Sequence, residues 1–357
     1  MRTPLYLGAA LDGLGAHPAA WRLTGTPPET LFDPERVVSL TRLAEQGGLD
    51  LVTLDDQVPA TPEPGHAHGS LDAWLALTLA ACRTSRIALF PTGVARGEPA
   101  VTAARAVTLD RIAGGRGGWR PRVALSDDER RRATADPERY AAFTEERFAH
   151  AEEFVASVAA FWDSRREESV LSSHAVDLSG DRLTVSGHAR VPTASSGPPM
   201  TAVLAHFSTP FRLAARHADL VFVTPFSRTD VDAVREELDG LRAALGSTRA
   251  PLAVLADLDV VVAATESEAT ARRNRLDRWI PFTSDCATFT GTPEQLADLM
   301  EEWHRDGGVD GFRIRPSVLS DDLTAVVEAV VPCLRKRGLL GENPGIPLRS
   351  RLFGASV

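Results

Sequence analysis

Residues 201–223 read TAVLAHFSTPFRLAARHADLVFV. Thr201-Ala202-Val203-Leu204 is an apolar run of strand length, Pro210 to His217 reads as a helix, and Asp219-Leu220-Val221-Phe222-Val223 is a second apolar run. Apolar runs without polar alternation suit strands buried on both faces, and a helix between two of them makes a parallel βαβ unit. The rhythm extends in both directions. Toward the N-terminus, strands are expected at 5–10, 50–54, 86–92 and about 119–124, the last weakened by Pro121. Helices are expected at 34–47, 71–82, 99–112 and 144–162 between and after them. Toward the C-terminus come a helix at 231–245, a strand within 252–263, an extra helix at 267–280, a strand at 311–314 and a last helix at 323–335. Thr292-Pro293-Glu294-Gln295 has the order of a capping box and opens a further helix.

Eight βα units without an early reversal fit a closed parallel sheet better than an open one, so the expected fold is a (β/α)8 TIM barrel. One domain over residues 1–357 accommodates the chain, with an insertion at about 164–198 that carries a small hairpin and a tail at about 338–357. In such a barrel chemistry sits at the C-terminal ends of the strands. The residues there are Asp12, Asp55, Asp56, Thr92, Trp119, Arg120, His206, Phe207, Ser208, Thr224 and Arg315.

Composition narrows the function. The 357 residues carry 39 basic and 48 acidic side chains, a formal charge of −9, which argues against a phosphate-backbone partner. Lys336 is the only lysine, and arginine-for-lysine with abundant alanine is a codon signature of a GC-rich genome. No run approaches the roughly 20 apolar residues of a membrane span. Met1-Arg2-Thr3-Pro4 runs straight into a strand without the pattern of a signal peptide, so a cytoplasmic location is expected. Cys82, Cys286 and Cys333 are too few and too far apart for a disulfide framework.

Individual segments then compete as sites. Ala205-His206-Phe207-Ser208-Thr209-Pro210-Phe211-Arg212 joins a strand to a helix, with Thr209 as the expected cap and Pro210 in the first turn. Free N–H groups and the positive end of the helix favour a phosphate there, with Ser208, Thr209 and Arg212 adding donors; plain capping also explains Thr209. His17, in the loop after the first strand, suits proton transfer near neutral pH or packing on Trp21. The glycine-rich Ala113 to Trp119 ends a helix instead of opening one, which is the wrong context for a dinucleotide fingerprint. His66-Ala67-His68 with Glu63 lacks further ligands at metal spacing and reads as a solvated loop.

Pieces along nearly the whole chain match a known family: His17-Pro18-Ala19-Ala20-Trp21-Arg22, Leu49 to Asp56, Ile87 to Thr92, Gly114-Gly115-Arg116-Gly117-Gly118-Trp119, Ala151-Glu152-Glu153-Phe154, Ala214 to Asp219, Gly291-Thr292-Pro293-Glu294-Gln295 and Gly308-Val309-Asp310-Gly311-Phe312. In order and spacing they resemble the luciferase-like flavin monooxygenases, in the branch of nitrilotriacetate monooxygenase and long-chain alkane monooxygenase. The resemblance implies a (β/α)8 barrel binding reduced FMN at its C-terminal mouth. It also implies a separate flavin reductase, molecular oxygen activated as a flavin C4a-peroxide, a small-molecule substrate, and a homodimer or homotetramer. By position, Asp56 and Thr92 would lie beside the flavin, and the 205–209 loop, with His206, Phe207, Ser208 and Thr209, would hold its phosphate. Three places depart from the family pattern. Arg120 and Arg122 replace neutral polar residues and offer charge to the flavin phosphate or a substrate carboxylate, unless they pair with Asp55 or Asp56. His206-Phe207-Ser208 replaces a Gly-Ser-Ser run, and Phe148 replaces a tyrosine. The superfamily also contains coenzyme F420 oxidoreductases, and a barrel that binds flavin or a metabolite without turnover is a third reading.

Overall fold

The computed structural model describes residues 4–25, 27–56, 65, 67–123, 137–164, 175–189, 197–341 and 346–354. Eight parallel strands close into a ring: β1 (Tyr6–Ala10), β2 (Leu51–Leu54), β3 (Ala88–Val94), β4 (Gly118–Arg122), β7 (Met200–Ala205), β8 (Leu220–Val223), β9 (Ala253–Val262) and β11 (Gly311–Pro316), with β11 returning to β1. The expected (β/α)8 barrel is the fold. Between β4 and β7, β5 (Ala175–Ser179) and β6 (Thr184–His188) form an antiparallel hairpin. Val176 and Val185 tuck from it into the main core. A short β10 (Thr288–Gly291) pairs with the outer half of β9, a strand that the apolar runs did not announce.

Helices cover the outside: α1 (Pro34–Gly47), α2 (Ala73–Ala81), α3 (Pro99–Ile112), α4 (Pro137–Asp163), α5 (Ser208–His217), α6 (Arg228–Ala244), α7 (Glu266–Trp279), α8 (Pro293–His304), α9 (Leu319–Ala325), α10 (Val331–Lys336) and α11 (Leu348–Phe353). Their ends follow the local chemistry. Asp33 accepts from the Glu35 N–H at the start of α1, and Gly48 ends that helix at φ 88°. The expected capping box at α8 is present, Thr292 and Gln295 each accepting from the other's backbone N–H. Thr265 and Glu268 do the same at α7. α4 begins seven residues before Thr144, the expected start. Pro121 is compatible with β4 because β7 pairs with β4 only at Gly118 and Trp119, so the missing N–H lies beyond that ladder.

Inside the ring, side chains of one parity stack in layers, and the layers change character along the axis. At the N-terminal end Tyr6, Leu51, Ala88, Phe90, Met200, Ala202, Leu220, Phe222, Ala253 and Leu255 form an apolar plug, closed from below by Leu348 of α11. Gly118 serves this packing: a Cβ there would lie 2.3 Å from the Phe90 ring. Continuing upward with the same parity, the inward residues become Thr53, Thr92, Arg120, Asp257, Asp259, Arg313 and Arg315. The upper barrel is ionic, and the site lies on it.

Candidate active site

The loop after β1 crosses the C-terminal mouth. It can do so because Gly15, at φ 145°, lets the chain run against the end of β11; a Cβ there would meet the Ser317 carbonyl oxygen at 2.2 Å. Loop and barrel enclose a cavity of about 590 Å³. Leu14, Trp21, Pro121 and Val123 supply apolar wall, while Asp12, Asp55, Arg120, Arg122, Arg313, Arg315, His17 and His206 supply polar wall.

Two charge networks make its floor. In the first, Arg120 pairs with Asp55 and donates from Nε to Thr92 Oγ1 at 3.0 Å, while Thr92 donates to Asp55 at 2.8 Å. The Asp55 N–H donates to Asp12 at 2.6 Å, and Arg122 donates to the Asp56 carbonyl at 3.0 Å and stands 3.7 Å from Asp55. Burial pushes Arg120 down to about 9, helped by the nearby Arg313, which still leaves it charged at neutral pH. Burial raises Asp12. In the second network, strand register sets Arg313 opposite Asp257 and Arg315 opposite Asp259. Arg313 grips Asp257 with two nitrogens and lies 4.5 Å from the centre of the Phe222 ring. Arg315 meets Asp259 at 2.9 Å and Asp285 at 2.6 Å. Burial opposes its charge, but Asp259 and Asp257 outweigh burial and raise its pKa.

The sequence-predicted residues divide accordingly. His17, Arg120 and His206 line the cavity. Arg120 arrives paired with Asp55, the structural one of its two expected roles. His17 is buried, its Nδ1 accepting from the Ala19 N–H at 3.1 Å and its Nε2 meeting Asp277 at 3.0 Å. An accepting Nδ1 places the proton on Nε2, so the ring is neutral with both nitrogens engaged. Burial lowers its pKa, against the opposing pull of Asp277. His206 is held by Thr224 at 2.9 Å, with a pKa lowered by burial. Thr92 is wholly buried in the Asp55–Arg120 network, and Asp55, not Asp56, faces the cavity. Trp119 points outward from β4 onto Trp162, with ring centres 6.4 Å apart.

The helix junction departs from expectation. α5 begins at Ser208 with Phe207 in the cap position and no side chain capping it. Thr209, the expected cap, donates instead to Glu145 of α4, and Arg212 pairs with the other oxygen of that carboxylate at 2.6 Å. Ser208 is exposed, and Phe207 stands edge-on to Phe148, ring centres 5.9 Å apart. Glu145 was not foreseen, since its partners lie 64 and 67 residues away. Asp257, Asp259 and Arg313 were missed too, although D-x-D and R-x-R alternation in two strands was a readable signal. Glu63, His66 and Ala124 lie outside the described residues. No helix among the described residues is long and apolar enough to cross a membrane.

Comparison with known proteins agrees with the barrel fold. Nitrilotriacetate monooxygenase component A of Aminobacter aminovorans is 26% identical over 438 residues, covering 98% of this chain and 96% of the relative. That alignment is longer than the chain, so the relative carries several dozen residues with no counterpart here. The structure of EDTA monooxygenase from Chelativorans sp. BNC1 superposes with a TM-score of 0.84 at 21% identity, covering 98% of both chains. That of a long-chain alkane monooxygenase gives 0.81 at 18% identity over 99% of this chain and 96% of the other. Residues 14–316 match the family model described as luciferase-like monooxygenase, and the chain belongs to that family.

Proposed function

We propose that this enzyme is a flavin-dependent monooxygenase that takes reduced FMN from a separate reductase and, with molecular oxygen, oxidises a small organic substrate. The observation that carries the reading is the pairing of a mouth cavity with an anion-holding group beside it in a barrel of this family. A volume of about 590 Å³ suits a small-molecule cofactor site. Thr209 and Arg212 already hold a carboxylate, which is the donor set that a phosphate requires. These residues fit the group. Leu14, Pro121 and Val123 would pack its ring, and Thr209 and Arg212 would take its phosphate. Once bound, reduced flavin supplies activated oxygen for transfer.

The chain's own contribution is binding, orientation and exclusion of water. The Asp55–Thr92–Arg120 network fixes the cavity floor. His206, exposed at the rim and held by Thr224, is the group we assign for taking up a proton there. His17, expected as a proton carrier, is better suited to positioning, because its two hydrogen bonds fix the loop that carries Leu14 and Trp21. The charged wall favours a polar substrate over a hydrocarbon. We also propose a homo-oligomer joined through α2, a helix apolar on all sides whose Leu75 is 72% exposed. One barrel domain over 1–357 and a cytoplasmic location complete the reading.

Titration with FMN, reduced FMN and coenzyme F420, followed by quenching of Trp21 at the cavity, tests the cofactor. FMN is expected to bind well below millimolar. Binding of F420 alone would shift the reading to an F420 oxidoreductase. A dissociation constant above roughly 1 mM for all three, about −4 kcal/mol, would end the oxidoreductase reading.

A further inference from the structure

We propose that Glu145 determines which flavin this enzyme accepts, because its carboxylate occupies the cradle that a flavin phosphate would use. The inference rests on the flavin reading above and concerns a residue to which neither the sequence pattern nor the comparisons give a role.

Glu145 is fixed by more than one contact. One carboxylate oxygen receives the Thr209 hydroxyl proton and the other meets Arg212 at 2.6 Å. One turn further along α4, Phe148 packs edge-on against Phe207 at the start of α5. Phe148 lines the main cavity, as does Leu213, the neighbour of Arg212. The cradle therefore adjoins the space in which a flavin ring would lie. The Thr209 hydrogen bond, with Arg212 behind it, holds the Glu145 carboxyl below its ordinary range, so the bound group is an anion at any physiological pH.

A phosphate dianion approaching Thr209 and Arg212 meets this anion first. It must either displace the carboxylate or sit beside it, and like charges at that separation repel. Displacement is feasible, since both Glu145 and Arg212 are partly solvated. It nevertheless removes from FMN the advantage that its phosphate would otherwise bring. A flavin without phosphate incurs no such conflict. The enzyme therefore discriminates weakly between FMN and riboflavin, and neutralising Glu145 restores preference for the phosphorylated form.

The test uses the full chain, Glu145→Gln and Glu145→Ala, each titrated with FMN, with riboflavin and with inorganic phosphate alone. The first two are followed by fluorescence and the last by calorimetry and thermal shift. The unmodified chain is expected to bind FMN and riboflavin within about threefold of each other. Both variants should gain about tenfold for FMN, equivalent to about 1.4 kcal/mol, with riboflavin unchanged. They should also gain affinity for inorganic phosphate, and adding Arg212→Ala should abolish both gains. An unmodified chain that already prefers FMN more than about tenfold, or variants that gain neither FMN nor phosphate affinity, would overturn the proposal. If no flavin binds at all, the flavin reading fails by itself. The phosphate arm then still decides whether Glu145 guards an anion cradle, since gain supports that role and no gain refutes it.

Discussion

At His17 the residue type invited a catalytic reading, and the surroundings answer it. A histidine moves protons only when one nitrogen faces the reacting atoms and the pKa lies near the working pH. Here Nδ1 faces Ala19 N–H and Nε2 faces Asp277, which Arg273 also holds at 2.7 Å. Replacing His17 by alanine should cost about 1–3 kcal/mol, the usual loss when a buried hydrogen-bonded group is removed. The pH dependence has a definite sign. Burial sets the folded pKa below the ordinary 6.5, so between those values the unfolded chain binds more protons and stability falls as pH falls. The deficit of His17→Ala should therefore shrink from pH 7.5 to pH 5.5 in urea titrations. An equal deficit at both pH values would remove burial of the neutral ring as its origin. Full stability with lost turnover would return His17 to the chemistry.

Among the elements, legibility followed burial. Strands packed on both faces announce themselves as apolar runs, which is why the eight barrel strands were readable. β10, Thr288-Phe289-Thr290-Gly291, pairs among the described residues only with β9 and is half exposed, so it left no such run. The start of α5 was misread because Thr209 has two uses, capping its own helix or reaching a neighbouring one, and sequence distance hides the second. The ionic ladder of β9 and β11 was in view yet unread: Asp257 and Asp259 alternate in one strand, Arg313 and Arg315 in the other. Only the register makes them partners, and register belongs to the closed barrel. Arg313→Met should cost about 3–5 kcal/mol by taking from buried Asp257 its two-nitrogen partner and leaving it only the more distant Arg315 at 3.9 Å. Adding Asp257→Leu should restore much of that loss, since an apolar pair of similar volume fits the same layer. A double-mutant cycle by denaturant unfolding measures the coupling. Strictly additive losses would mean that the pair acts as filler, not as a pair.

On the scale of the whole molecule, stability and chemistry are placed at opposite ends of one barrel. The ionic upper layers hold the cavity, while the apolar lower layers depend on a lid from the far end of the sequence. The segment expected as a tail includes α11, which buries Leu348 in the plug. Tyr6 donates from its hydroxyl to the Arg351 carbonyl at 2.9 Å, and the Arg351 guanidinium meets Asp50 at 2.6 Å. Asp50 also accepts from the Leu7 N–H at 2.7 Å, tying this lid to β1. Because Asp50 and Arg351 are both largely buried, Arg351→Met strands a carboxylate and should cost about 3–5 kcal/mol. Leu348→Ala should cost about 2–5 kcal/mol through the cavity it leaves in the plug. Neither variant touches the mouth, so cofactor affinity measured well below the unfolding transition should be unchanged. Denaturant midpoints and flavin titrations on the same samples separate the two ends. Losses below about 0.5 kcal/mol in both variants would show that α11 rests on the barrel without closing it. A parallel loss of flavin affinity would show that the plug also sets the geometry of the ionic layers above it, with Phe222, in contact with both the plug and Arg313, as the route between them.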